Sequence, residues 1–452
     1  MDFEKILNLG KEKGVEVEIF YQETRGSTLN IDNHKIHSME NIETSGIGIR
    51  VVDNSRIGFA FTTQKTRAGM EKCFREALKG ARHGRALKNF TFPSEKNFPR
   101  LNVKVSKKIE GLSPGEAIEH IQTMLDAVKS VNKEIFVCEG HFGYGIERTV
   151  IANTAGIWVE YERSACGMNI ATACPSPDSV SVGFEEAEST DLDLDFAALG
   201  KSAALLAFNG RNPEKLEGGK RNVLLMPTAA RSVIESTLVG MLQGHHAMRG
   251  ESLFAGKLNE RVLDERVSII DDGLIENSLA TAPFDDEGTP SRKTVLIDHG
   301  VLKTFIFDAY TAAEFNLKTT GNGIRSQRLS SGRTFKSPPS PNFRNFVIEG
   351  ETAFREEILK DFSPCLVVHA VLGAHTANPI TGNFAVNIPI VFEYVNGEFK
   401  PRRQGMLSGN IVEYLNREVV VSKERKNYYG TFTPTNFAMP DILIPDAVVT
   451  GS

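Results

Sequence analysis

The sequence predicts an α+β protein: an N-terminal antiparallel sheet with helices, followed by a strand-rich C-terminal domain. Two observations carry this. The early strand-like segments follow one another with no crossover helix between them, which favours antiparallel pairing. Beyond about residue 250 the chain is mostly short apolar runs punctuated by Gly, Pro and Asn turns.

Taken in order, Phe3 to Lys13 is an amphipathic helix ended at Gly14, and Val15 to Ile19 alternates as a half-buried strand does. Ile47, Ile49 and Val51, then Ile57 to Phe61, continue the meander across an Asp53-Asn54-Ser55 turn. A helix follows from about Thr66 to His83, then a Pro-, Lys- and Asn-rich connector over 88–112. Ser113-Pro114-Gly115-Glu116 is a capping box with proline in the first turn. Ala117, Ile118, Ile121, Met124, Leu125 and Val128 then line one helical face. Strands are expected at Phe136–Glu139, Arg148–Ala152 and Ile157–Glu162. The acidic run Glu185, Glu186, Glu188, Asp191, Asp193 and Asp195 reads as solvated capping ahead of a helix at Phe196–Phe208. After a polar break come a strand at Val223–Met226 and one helix from Thr228 to Met248. Pro338 to Pro341 reads as a structureless connector, and Leu366–Val371 and Ile388–Phe392 as buried strands. The expected units are 1–90, 91–215 and 220–452.

Composition narrows the function. The chain has 452 residues, 40% of them hydrophobic, and 52 Lys and Arg against 57 Asp and Glu give a net charge of −5. A nucleic-acid ligand is disfavoured, because phosphate neutralisation needs a basic excess. The charged start, Met1 to Lys5, has no apolar stretch of a signal peptide, and no segment is long and apolar enough to span a bilayer, so a cytoplasmic protein is expected. Five cysteines without a CxxC pair fit reduced thiols.

Most motifs dissolve on inspection. Gly200-Lys201-Ser202 lacks the leading glycine of a phosphate loop, with Asp195 in its place. In Gly111-Leu112-Ser113-Pro114-Gly115 the residue that should donate an oxyanion N–H is a proline, so Ser113 reads as a helix cap. His34 and His37 lie three apart in an expected strand and point to opposite faces; His245 and His246 are adjacent and diverge. His369 and His375 could converge only if the chain folds back at Gly373. Asp271-Asp272-Gly273 and Asp285-Asp286-Glu287-Gly288 read as turns, with glycine at positive φ, and a paired-carboxylate hydrolase stays open. The residues by themselves stop at a soluble α+β protein.

In its C-terminal half the sequence resembles the TldD/TldE (PmbA) family. Arg249-Gly250-Glu251-Ser252-Leu253-Phe254-Ala255-Gly256-Lys257-Leu258 is similar to the family's G-x-S-x-x-x-G-K-L-G segment, and Pro283-Phe284-Asp285-Asp286-Glu287-Gly288 to P-F-D-x-E-G. Thr319-Thr320-Gly321-Asn322, Pro341-Asn342-Phe343, Thr381-Gly382-Asn383-Phe384 and Ser408-Gly409-Asn410-Ile411 follow in the family's order. The TldD branch carries H-E-x-x-x-H, a zinc site for peptide hydrolysis, ahead of the G-x-S segment. Here those positions fall on Glu235, Ser236 and Gly240, and no cysteine follows Cys365. The resemblance therefore implies the TldE/PmbA branch: no metal or catalytic residue in this chain, and zinc in a TldD-like partner peptidase that processes short or unfolded peptides. It also implies that the Thr228–Met248 helix sits where the partner's zinc helix sits, the two related by pseudo-two-fold symmetry. His375, Asn378, Thr381 and Asn383 are the candidates for peptide contact. The family's name of gyrase modulator gains nothing from the net charge. Alternatives are an autonomous metal-dependent peptidase acting as a homodimer, with His369 and His375 as ligands, or a peptide-binding scaffold. Pro389 is expected at an edge or bulge, and Glu235→Ala is expected to have little effect on the activity of any complex.

Overall fold

The computed structural model describes residues 2–327, 330 and 332–451. Its N-terminal part is one six-stranded antiparallel sheet of order β3-β2-β1-β4-β5-β6. The strands are β1 (Glu16–Asp32), β2 (Lys35–Asp53), β3 (Arg56–Thr62), β4 (Phe136–Asn153), β5 (Trp158–Ser176) and β6 (Ser179–Ser189). Asn33-His34 and Asn54-Ser55 turn the first two hairpins with positive φ at both residues, the geometry that matches strand twist. His34 thus lies in a turn and not in a strand, where its Nε2 accepts the Val137 amide hydrogen at 3.3 Å.

Four helices cover one face of this sheet: α1 (Phe3–Glu12), α2 (Arg67–His83), α3 (Pro114–Val131) and α4 (Phe196–Asn209). The capping box is formed, Ser113 Oγ accepting from Glu116 N and the Glu116 carboxylate accepting from Ser113 N. Ala117, Ile121, Met124, Leu125 and Val128 pack on Phe142, Met168 and Ile170 of the sheet. Val17, Ile19 and Tyr21 meet α1 and α2 on the same face.

The opposite face carries Glu18, Phe20 and Gln22, and the expectation of a half-buried strand fails there. Glu18 is completely buried, because the C-terminal part covers that face. This part contains a closed five-stranded ring: β7 (Gly219–Leu225), β8 (Cys365–Leu372), β9 (Asn383–Val395), β10 (Gly405–Asn410) and β11 (Asn436–Thr450). β7 pairs with β8 in parallel and with β11 antiparallel, closing the ring through β9 and β10. Closure leaves this ring no edge. Further strands at Ser268–Asp272, Lys293–Asp298 and Asn345–Glu349 extend the sheet outward from β11. Pro389 falls where β9 changes partner from β10 to the Glu398–Arg402 strand, beside a register shift against β8.

Several expectations are corrected. The helix expected over 228–248 is three pieces: α5 (Pro227–Thr237), a 3-10 turn at Gly240–Leu242, and a short helix at Gly244–Met248. Glycine is a poor helix former, and here both glycines are pressed by neighbours. A β-carbon on Gly240 would lie 2.5 Å from Pro379 O, and one on Gly244 would lie 2.1 Å from the Phe307 ring. Pro339–Pro341 is not structureless; it pairs antiparallel with Gly323–Arg325. Glu185, Glu186 and Glu188 are strand residues, not solvated capping. Asp271 and Asp272 end a strand, and Asp272 Oδ1 then caps the expected turn through Leu274 N at 3.0 Å, though Gly273 is not at positive φ; Asp285 also makes the expected turn, its Oδ1 accepting from Glu287 N and Thr289 N ahead of Gly288 at φ 83°. Among the described residues no helix is long and apolar enough to cross a membrane.

Sheet and C-terminal part are joined by a buried ion network centred on the Pro283–Gly288 turn. Arg50 bonds Glu18 at 2.9 and 2.5 Å and Glu287 at 2.8 Å, and Arg325 bonds Glu18 at 2.5 Å. Glu287 also accepts the Ala309 amide hydrogen at 2.6 Å. Arg333 bridges Asp286 to Glu147 and Tyr161. Phe90 and Phe92, from the expected connector, pack over the Arg50 guanidinium. Truncating one partner of such a cluster strands a charge in low dielectric. Arg50→Ala should therefore destabilise the chain by about 3–5 kcal/mol, read as a lower urea midpoint at pH 7.

Candidate functional site

Helix α5 starts directly after β7, with Pro227 at its first turn, where a missing N–H costs nothing. Ala229, Ala230, Val233 and Ile234 pack into the barrel core. The opposite stripe carries Arg231 and, one turn on, Glu235, both buried. This helix carries Glu235 and Ser236 and the 3-10 turn after it Gly240, the three positions expected from the sequence to replace the metal motif.

Glu235 is occupied as a structural acceptor. Its Oε1 accepts from Phe432 N at 2.8 Å, Thr433 N at 2.9 Å and Thr433 Oγ1 at 3.0 Å; its Oε2 accepts from Thr431 N at 3.0 Å. The carboxylate fills a nest of amide hydrogens in the loop that leads into β11. Ser236 turns its hydroxyl back to Ser232 O at 2.7 Å within the helix. Gly240 offers no ligand, and the closeness of Pro379 leaves no room for one. A catalytic zinc needs several nitrogen, sulfur or oxygen ligands around an open position. These three positions do not fit that group. Among the described residues no three His, Cys, Asp or Glu side chains cluster as a metal site.

The histidine pairs fare similarly. His245 and His246 do not diverge; their rings lie 3.9 Å apart, His246 Nδ1 sits 2.6 Å from Glu251, and burial holds His245 down at about 4. His369 packs against the Phe392 ring, and burial lowers it to about 4. His375 is exposed beside Phe432, on the loop that Glu235 anchors. Asn378, Thr381 and Asn383 do come together, next to Gly240. Asn378 Oδ1 caps Ile380 N and Thr381 N, each at 3.0 Å, and Asn383 Nδ2 donates to Thr381 Oγ1 at 3.2 Å. Asn410 Nδ2 ties the turn to the start of the next helix through Thr381 O at 2.7 Å. The turn chemistry is complete, and Asn378 and Asn383 remain exposed.

Sequence reading missed the groups packed around α5. Arg231 bonds Glu186 at 2.5 Å and also Thr431, and its guanidinium faces the Tyr428 ring. Glu188, two residues along β6, accepts the Tyr429 amide hydrogen. Burial pushes Glu188 up to about 7, with Glu186 and Glu235 adding to the rise and the Tyr429 amide and Arg231 opposing it. A signal existed: Glu186 and Glu188 share a strand face, and Arg231 and Glu235 are one helical turn apart.

The architecture is that of a solved protein, TldE from Thermococcus kodakarensis, which matches with TM-score 0.90 over 99% of this chain and 100% of that one at 24% identity. The PmbA/TldA metallopeptidase domain 1, central domain and C-terminal domain models match residues 17–81, 107–209 and 218–451. The chain belongs to the PmbA/TldA metallopeptidase family. Relatives include a metalloprotease TldD homolog of Haemophilus influenzae, 26% identical over 90% of this chain and 87% of that protein. The metalloprotease PmbA of Escherichia coli O157:H7 is 23% identical over 98% and 93%.

Glu235→Ala should cost about 1–2 kcal/mol, since the Thr431, Phe432 and Thr433 amides, part-buried in their bonds to the carboxylate, lose their acceptor. Thermal unfolding would show this, with bound metal unchanged. Folding raises the Glu188 pKa, so the native state holds a proton that the unfolded chain has released. Stability should then fall as pH rises from about 4.5 to 7, and Glu188→Gln should flatten that slope in urea titrations across the window.

Proposed function

We propose that this chain is a TldE/PmbA-like subunit without a catalytic metal of its own, pairing with a TldD-type zinc peptidase that processes short or unfolded peptides. The observation that carries the reading is the state of α5. A water-activating metal requires ligands and a nearby base, and Glu235, Ser236 and Gly240 are respectively committed to a loop, bonded to the helix, and closed off by Pro379. His375 lies beside Phe432, Asn378, Thr381 and Asn383 share the turn next to Gly240, and the exposed ones are the groups proposed to meet an extended peptide at the shared chamber.

The test uses the purified chain, a paralogue with an intact H-E-x-x-x-H, and their mixture. Cleavage of an unfolded peptide should need the paralogue, zinc should travel with it, and the two should co-elute. Stoichiometric zinc with peptide cleavage by this chain alone would overturn the proposal.

A further inference from the structure

A cleft of about 340 Å³ lies on the face of the N-terminal sheet turned toward the C-terminal part. Its floor is bare backbone: Gly26 pairs with Gly145 across β1 and β4, and Gly143 with Gly167 across β4 and β5. Elsewhere on this face glycines admit a neighbour. Gly46 and Gly48 let Phe335 press against β2, where a β-carbon would come within 2.2 and 2.7 Å of it. At Gly26, Gly143, Gly145 and Gly167 the nearest neighbours of a β-carbon all belong to the sheet and none to the described residues of the C-terminal part, and Ile42, Ala165 and Leu279 are among the cleft's largely apolar lining.

One end of the cleft is charged, and the charges do not balance. Glu147 is answered by Arg163 and Arg333, which hold it down at about 2 against the upward pull of burial. Among the described residues Glu188 has no such partner. With Glu186 and Glu235 it shares the guanidinium of Arg231, three carboxylates to one described cation. Its Oε2 takes the Tyr429 amide hydrogen, while Oε1 stands over the floor, 3.8 Å from where a β-carbon on Gly167 would be. The feature is thus a cavity with an apolar bed and one under-compensated acid at its end. A flat bed of backbone suits an extended chain, and the excess negative charge suits a cation.

We infer that this cleft binds the amino-terminal residues of an extended peptide, with the peptide's α-ammonium paired to Glu188. The inference rests on the peptide-handling role proposed above and adds a site within this chain, remote in sequence from Asn378–Asn383. It makes the subunit a selector for free amino ends.

Binding of a lysine-free, fluorescently labelled unfolded peptide to the full chain tests this, comparing the free amino terminus with the N-acetylated form. The free form should bind at least about tenfold more tightly, a difference of roughly 1.4 kcal/mol. Glu188→Gln keeps the acceptor for Tyr429 N and should erase the difference. Gly143→Leu, which fills the floor, should weaken both forms. Equal binding of the two peptides, or unchanged selectivity in Glu188→Gln, would overturn the inference and leave the peptide-handling role standing. Binding by neither form, alone or with a TldD-type paralogue, would remove both.

Discussion

The arrangement of the two halves depends on the buried ion network at the Pro283–Gly288 turn. Glu18, Arg50, Glu287 and Arg325 are all withdrawn from water, and each is answered by opposite charge or by backbone. Desolvating such groups is expensive, and a shifted register would leave at least one charge unpaired. The network therefore contributes less to net stability than to geometry. It permits one docking of the sheet on the C-terminal part, and that docking defines the cleft over the glycine floor and brings β6 against α5.

Around α5, side chains at the positions of a metal motif serve packing and loop anchoring. Glu235 spends both carboxylate oxygens on the 431–433 amides, and the Asn378–Asn383 turn closes over Gly240. These two contacts support one another physically. A larger residue at 240 would displace the turn, and a neutral residue at 235 would release the loop that carries Phe432 and lies beside His375. The helix is consequently fixed to its surroundings through Glu235 and through the Pro379 contact at Gly240.

Local physics was legible. The α3 capping box, the Asn54-Ser55 turn, the Asp285 turn and the two apolar runs that became β8 and β9 all follow from residues within a few positions of one another. The split of the expected 228–248 helix was not, because it results from Pro379 and Phe307 pressing on glycines more than sixty residues away. The role of Glu235 was equally hidden: its partners lie 196 to 198 residues downstream.

By itself, then, the sequence determined the α+β class and the helices with periodic faces and caps. Those are properties of residue type and spacing. Tertiary structure alone decided that Glu18 is buried against Arg50, that Glu235 anchors a loop, and that Glu188 faces an open glycine bed. Burial and charge pairing are set by segments distant along the chain, and no local pattern encodes what will be laid across them.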